Sequence, residues 1–211
     1  VQTNMTGKTC DVETALGHGA PVVNAGADYT IPKSTPFTLT GSATDSGGGA
    51  LTYCWEQYDD ASGASQLCSI TNVSAGDNDC VPIATKTTGP VFRSYQPTSS
   101  SSRTFPLLQS VLNASVSTTG SEIAVEFLPS VARTLNFRLT ARDNSIVGGG
   151  GLTNFEDMIV TVANKDALTV TYPSVANSSI YAIGSTQTVT WSGTTSATTG
   201  HQTIAGGSTV D

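Results

Sequence analysis

Side chains that could carry out catalytic chemistry are few in this sequence and lie far apart. The two histidines, His18 and His201, are separated by most of the chain, and neither has a carboxylate at the spacing of a zinc-binding His-Glu-x-x-His motif. No Gly-x-Ser-x-Gly motif marks a serine nucleophile between a strand and a helix. We therefore expect both histidines to be solvated loop residues and the chain to be non-catalytic.

Oxygen-bearing side chains beside two turns could instead bind a hard cation. Asp45 precedes a glycine-rich turn, and Asp143 and Asn144 follow an alternating, strand-like segment. In a β-sandwich these two places lie at the same pole, where carboxylate, amide and backbone oxygens could supply the roughly six to eight ligands of calcium. The alternative is that Asp45 and Asn144 only cap their turns through hydrogen bonds to the backbone. Calcium is therefore the candidate cofactor, as a structural ion.

The four cysteines form an even set, and no two of them have Cys-x-x-Cys spacing. This pattern favours two disulfides in an oxidising compartment over a zinc ribbon or redox motif; free thiols are the alternative expected in a reducing compartment. Three pairings are possible. We favour Cys68 with Cys80, because both lie in one polar loop, and this leaves Cys10 with Cys54.

Composition and charge narrow the classes of partner. Only 12% of the 211 residues are charged, and the net charge is −7. The nine scattered basic residues cannot form the clustered patch that nucleic acid binding needs. No apolar run approaches the roughly 20 residues that span a bilayer. We expect an exported protein with a polar, weakly charged surface, and neither nucleic acid nor a membrane span.

Alternation of apolar residues predicts an all-β fold. Leu51, Tyr53 and Trp55 recur with period two after the glycine-rich turn, and residues 37–43 and 134–142 alternate in the same way. A tryptophan on the second of two consecutive strands is typical of the core of immunoglobulin-like sandwiches. The pattern therefore predicts an immunoglobulin-like β-sandwich.

The predicted domain organisation has three parts. Residues 1–19 are a polar leader tied down by a disulfide, and residues 20–164 are the sandwich, with a long insertion at 59–132. Alternation restarts in residues 165–211, which predicts the first strands of a second immunoglobulin-like domain. Such domains have near 100 residues, so we expect this second domain to be truncated or to be completed by exchange with a neighbouring chain.

One cluster within the insertion could form a binding face. It consists of Phe92, Arg93, Tyr95, Arg103 and Phe105. Aromatic residues and arginine are enriched at binding hot spots, which would suit a carbohydrate-binding or adhesion module. The alternative is that the aromatic rings pack the insertion onto the sandwich while the arginines stay at its edge. Exposed rings would support the first interpretation, and packed rings would count against it.

Several motifs together resemble those of a known family. They are Gly-Ala-Asp-Tyr-Thr-Ile-Pro at 26–32, Phe-Thr-Leu-Thr-Gly-Ser-Ala-Thr-Asp at 37–45, Leu-Thr-Tyr-Cys-Trp-Glu-Gln at 51–57, Gly-Pro-Val-Phe-Arg-Ser-Tyr at 89–95, Arg-Thr-Phe-Pro at 103–106 and Ala-Arg-Thr-Leu-Asn-Phe-Arg-Leu-Thr-Ala-Arg-Asp-Asn at 132–144. Over roughly residues 20–192 the chain resembles the PKD-like, immunoglobulin-like region that follows the catalytic domain in reprolysin-like secreted bacterial zinc metalloproteases. It departs after Asp45, where the family has Asp-Pro-Asp-Gly-Asp and this chain has Ser46 and three glycines.

The resemblance implies a function without catalysis on this chain. It implies an accessory module of a secreted, extracellular bacterial zinc metalloendopeptidase that positions the catalytic domain or contacts substrate or the cell surface. The expected partners are the catalytic domain of the parent chain and a protein or polysaccharide substrate. An independent hydrolase is the third and weakest alternative.

Overall fold

The computed structural model describes residues 17–60, 82–120, 124–144, 151–172, 186–192 and 208–210. Strands dominate these residues, and the one helix described there has five residues, so the all-β prediction is confirmed. In the same part of the chain, no helix has the length and apolar character needed to cross a membrane.

The strands and the helix are numbered in the order in which they occur along the chain. They are β1 (Val22–Asn24), β2 (Tyr29–Pro32), β3 (Phe37–Thr40), β4 (Ser42–Thr44), β5 (Leu51–Gln57), β6 (Ser102–Phe105), α1 (Leu108–Leu112), β7 (Ser117–Thr119), β8 (Ala124–Phe127), β9 (Arg133–Asp143), β10 (Thr153–Ala163), β11 (Thr169–Tyr172), β12 (Gln187–Ser192) and β13 (Ser208–Val210).

A four-stranded sheet forms the centre of the fold, in the order β2-β10-β9-β5. β2 runs parallel to β10, whereas the other two pairings are antiparallel. Three two-stranded pairs, β1–β4, β3–β6 and β7–β8, complete the part of the chain before residue 164. β11, β12 and β13 form a separate three-stranded antiparallel sheet in the segment where we predicted a second domain.

Four phenylalanines form the centre of the core. Phe105 of β6 lies 5.1 Å from Phe37 of β3, 5.1 Å from Phe92 and 4.8 Å from Phe137 of β9, measured between ring centroids. All four side chains are buried. The β3–β6 pair therefore packs onto the four-stranded sheet, with the inward side chains supplied by the alternating residues of β3 and by Phe105 of β6.

The segment that we treated as an insertion contributes to this core. Its strand β6 pairs with β3 along four residues, and Val91, Phe92, Phe105 and Leu128 are all at most 4% exposed. Gln57 of β5 fastens the same segment, because its Oε1 accepts the backbone N–H groups of Val91 at 2.8 Å and Phe92 at 3.0 Å. The described residues between 82 and 132 are thus an integral layer of the fold.

Gly41 divides the strand that we predicted over residues 37–43 into two. β3 pairs with β6, whereas β4, only two residues later, pairs with β1. A Cβ atom on Gly41 would lie 2.2 Å from Leu139 Cδ2 and 2.6 Å from the Asn24 carbonyl oxygen. The chain can therefore change partners at this position only because glycine has no side chain.

We expect Gly41→Ala to lower the free energy of unfolding by about 1–3 kcal/mol, the usual effect of overpacking a core. Urea denaturation followed by tryptophan fluorescence would measure the loss. Gly19→Ala is the matched control, since a Cβ atom there meets nothing within 4 Å. Equal stability of the two variants would contradict the close approach at Gly41.

Candidate metal centre

Strand register brings three distant parts of the chain to one end of the fold. Val22 at the start of β1 pairs with Thr44 at the end of β4, so His18, just before β1, lies beside Asp45, just after β4. Leu51 at the start of β5 pairs with Asp143 at the end of β9. Because only a short turn joins β4 to β5, Asp45 and Asp143 also meet there.

The three side chains converge closely enough to share a metal ion. One ligand atom from each of His18, Asp45 and Asp143 lies within 4.8 Å of the other two. His18 Nδ1 is 3.4 Å from Asp143 Oδ2, and the two side chains are only 7% and 0% exposed. Within the described residues this is the one such group of His, Cys, Asp and Glu side chains.

Two polar atoms of this group have no hydrogen-bond partner among the residues that the structure describes. They are His18 Nε2 and Asp45 Oδ1, and both are shielded from solvent. Buried polar atoms are nearly always satisfied, so each such exception needs an explanation, of which an ion at the site is one. A divalent cation would satisfy Asp45 Oδ1 and would balance the carboxylates of Asp45 and Asp143, and one ring nitrogen of His18 could bind it.

The glycine turn holds Asp45 as an anion. The backbone N–H of Gly47 lowers the pKa of the Asp45 carboxyl, and Gly49, His18 and Gly48 lower it further. Asp45 Oδ2 accepts the Gly49 N–H at 3.1 Å, which leaves Oδ1 for another ligand. The carboxylate is thus ionised at neutral pH, as a metal ligand must be.

Gly47 also makes room for the imidazole. A Cβ atom on Gly47 would lie 2.8 Å from His18 Cγ and 2.9 Å from His18 Nδ1. The ring therefore packs directly on the backbone of the turn. This contact explains how His18 is buried although glycines flank it on both sides.

The sequence predicted part of this site. It named Asp45, Asp143 and Asn144, and the structure brings the first two together. The amide Nδ2 of Asn144 instead donates to the Ala50 carbonyl at 2.7 Å and to Thr52 Oγ1 at 3.1 Å. Asp45 also makes the capping contact that the alternative described, because its Oδ2 accepts the Gly49 N–H. The expectation that His18 is a solvated loop residue is wrong.

The predicted aromatic binding face does not form, because its rings belong to the core. Phe92 is 4% exposed and Phe105 is fully buried. Arg103 is turned inward, where its Nη2 contacts Glu126 Oε1 at 2.7 Å and its Nη1 donates to the Trp55 carbonyl. Arg93 is exposed and Tyr95 is half-buried. Packed rings count against the carbohydrate-binding interpretation.

Cys54 is a free thiol in the structure, so the expected Cys10–Cys54 disulfide is absent. Another segment lies along the outer edge of β5, where Tyr53 pairs with Thr98. Cys54 Sγ donates to the Tyr95 carbonyl of that segment at 3.3 Å. The side chain also lines a cavity of about 160 Å³. Cys10, Cys68 and Cys80 lie outside the described residues, and the Cys68–Cys80 pairing stays a prediction.

Alkylation of Cys54 should be slow and strongly dependent on pH. Burial raises the pKa of this thiol, and the charge of Glu56 raises it further. Since the thiolate is the reactive form, the rate with iodoacetamide should still be rising above about pH 8.5, the pKa of an exposed thiol. Peptide mass spectrometry would measure the rate, with the chain in urea as the control. A disulfide-linked Cys10–Cys54 peptide would contradict the free thiol. The same alkylation rate for the folded chain and for the chain in urea would contradict its burial.

Comparison of the chain with protein-family models, curated proteins and solved structures finds no match. The kind of site therefore follows from the geometry of its three side chains. An imidazole and two carboxylates, gathered from the segment before β1, the β4–β5 turn and the end of β9, can hold a divalent cation.

Proposed function

We propose that this chain is a non-catalytic accessory module of a secreted bacterial metalloprotease, with an immunoglobulin-like β-sandwich as its main domain. A divalent cation braces the segment that enters the sandwich. The module holds the catalytic domain of the parent chain in a fixed direction, or presents a surface to its protein or polysaccharide substrate.

The convergence of His18 with Asp45 and Asp143 carries this proposal. His18 lies on the segment that leads into β1, whereas Asp45 directly follows β4 and Asp143 is the last residue of β9. A cation shared by all three cross-links the entering segment to two fixed positions. Such a cross-link restricts the direction in which the segment before β1 leaves the module. A module that positions a catalytic domain on that side needs this restriction.

The sequence motifs give independent support. The resemblance to the accessory region of reprolysin-like metalloproteases covers the same strands that form the central sheet and the β3–β6 pair. In the structure, motif residues such as Phe37, Trp55, Phe105 and Phe137 are buried in the core. Because these motif residues stabilise the core, they support the role of a structural scaffold.

Incubation of the purified chain with casein tests the non-catalytic part of the proposal. We expect no cleavage, with or without added zinc. Chelator-sensitive cleavage of casein by the chain alone would overturn it.

Limited subtilisin digestion tests the brace. With a saturating divalent cation, cleavage within residues 17–20 should be at least about 10-fold slower than in chelator, because cleavage requires release of a bound ligand. Asp143→Asn should abolish this difference. Asp157→Asn, an exposed carboxylate on β10, is the control and should preserve it. Equal cleavage of the wild-type chain in both conditions would contradict the brace.

A further inference from the structure

The structure points to a first-row transition metal of the Zn²⁺ class, rather than Ca²⁺, as the ion at His18, Asp45 and Asp143. This inference rests on the cation brace proposed above and specifies its chemistry. It replaces the calcium that the acidic side chains alone suggested.

The donor set argues for this class. Calcium is coordinated by oxygen atoms, about six to eight of them. Imidazole nitrogen suits zinc, copper, iron and nickel, and zinc accepts imidazole and carboxylate ligands together. His18 is part of this group, with a side chain 7% exposed and with Nδ1 3.4 Å from Asp143 Oδ2. A nitrogen donor buried between two carboxylates fits zinc and not calcium.

Two of the three side chains in the described group, Asp45 and Asp143, offer oxygen ligands, and the third offers nitrogen. Asp45 Oδ2 already accepts the Gly49 N–H. The amide nitrogen of Asn144 donates to the Ala50 carbonyl and to Thr52 Oγ1. Two carboxylates and one imidazole are the usual number of protein ligands for a zinc ion that completes its shell with water.

The spacing is compatible with tetrahedral coordination. Bonds of about 2.0–2.1 Å place neighbouring ligands of a tetrahedral zinc ion about 3.3 Å apart. His18 Nδ1 and Asp143 Oδ2 are 3.4 Å apart. The wider separations, up to 4.8 Å, must contract on binding. Asp45 can move for this purpose, because it begins the turn that contains Gly47, Gly48 and Gly49.

Thermal unfolding with added metal is the first test. At 100-fold excess over the dissociation constant, Zn²⁺ should raise Tm by about 5–10 °C, and millimolar Ca²⁺ should leave it unchanged. If Ca²⁺ raises Tm and Zn²⁺ does not, the zinc inference fails while the brace survives. If neither ion raises Tm, both fail.

Matched variants locate the effect. His18→Ala should lose the Zn²⁺ response, whereas His201→Ala, the other histidine, should keep it. Gly47→Ala keeps all three ligands but displaces the ring of His18, and should weaken Zn²⁺ binding about 10-fold or more. Gly19→Ala is its control, with nothing within 4 Å of the added methyl. An unchanged Zn²⁺ response in His18→Ala would overturn the inference.

Imidazole NMR provides a readout independent of stability and of the cysteines. The chain has two histidines, so a long-range ¹H–¹⁵N spectrum resolves both rings. One equivalent of Zn²⁺ should shift one ring nitrogen of His18 and leave His201 unchanged. A Zn²⁺ titration that leaves the His18 ring nitrogens unshifted would contradict the assignment even if Tm rises.

Discussion

Glu126→Leu is expected to lower the free energy of unfolding by about 3–5 kcal/mol, the usual result of breaking a buried ion pair. Glu126 is fully buried and its Oε1 contacts Arg103 Nη2 at 2.7 Å. Its Oε2 accepts the Leu107 N–H and the Thr118 hydroxyl, each at 2.9 Å. Removal of this carboxylate leaves the Arg103 guanidinium without its counter-charge at a largely buried position. Guanidinium chloride denaturation measures the change.

The same chain contains a matched control for this prediction. Arg138 and Asp157 also form an arginine–carboxylate pair, at 2.7 Å, but their side chains are 34% and 37% exposed. Asp157→Asn should therefore cost less than about 1 kcal/mol. A double variant, Arg103→Met with Glu126→Leu, should recover most of the lost stability, because no charge is left buried. Similar losses for Glu126→Leu and Asp157→Asn would contradict this account.

Phe105→Ala should lower the free energy of unfolding by about 3–5 kcal/mol, as expected when a fully buried aromatic ring is removed. Phe105 is 0% exposed and contacts the rings of Phe37, Phe92 and Phe137. Its removal leaves a cavity where the β3–β6 pair packs on the central sheet. Urea denaturation would measure the loss, and near-UV circular dichroism would report the loosened aromatic packing.

Phe155→Ala is the control for this cavity. Phe155 lies on β10 of the same sheet, is 49% exposed and has the Arg138 guanidinium carbon 3.6 Å from its ring centroid. We expect a loss below about 1 kcal/mol for this exposed cation–π contact. If Phe105→Ala costs no more than Phe155→Ala, the segment between residues 82 and 132 is an appended insertion, as the sequence first suggested, and not a layer of the core.

Period-two alternation predicted β5 and β9, two of the four strands of the central sheet, and the sequence named two of the three candidate metal ligands. In β9 the alternate residues from Leu135 to Ala141 are buried, and Asp143 continues the same inward phase. Alternation therefore already placed a carboxylate on the inner face at the end of the strand. The glycine-rich turn after Asp45 indicated the second carboxylate, because a short connection had to bring it to the same end as Asp143.

The rest could not be predicted from local patterns. His18 stands among glycines with no periodic context, and its proximity to Asp143 depends on two strand registers set by long-range pairing. The strand β6 follows a run of serines, so nothing nearby marks it as the partner of β3. Phe105 of β6 could belong to a binding surface or to the core by its residue type, and its burial in the structure shows that it belongs to the core.

A crystal of the chain grown with Zn²⁺, with diffraction measured on both sides of the zinc absorption edge, tests the metal centre most directly. We expect an anomalous difference peak about 2.0–2.2 Å from a ring nitrogen of His18 and from one carboxylate oxygen each of Asp45 and Asp143. An ordered site with these three side chains in place and no peak between them would contradict the assignment of zinc to this metal centre.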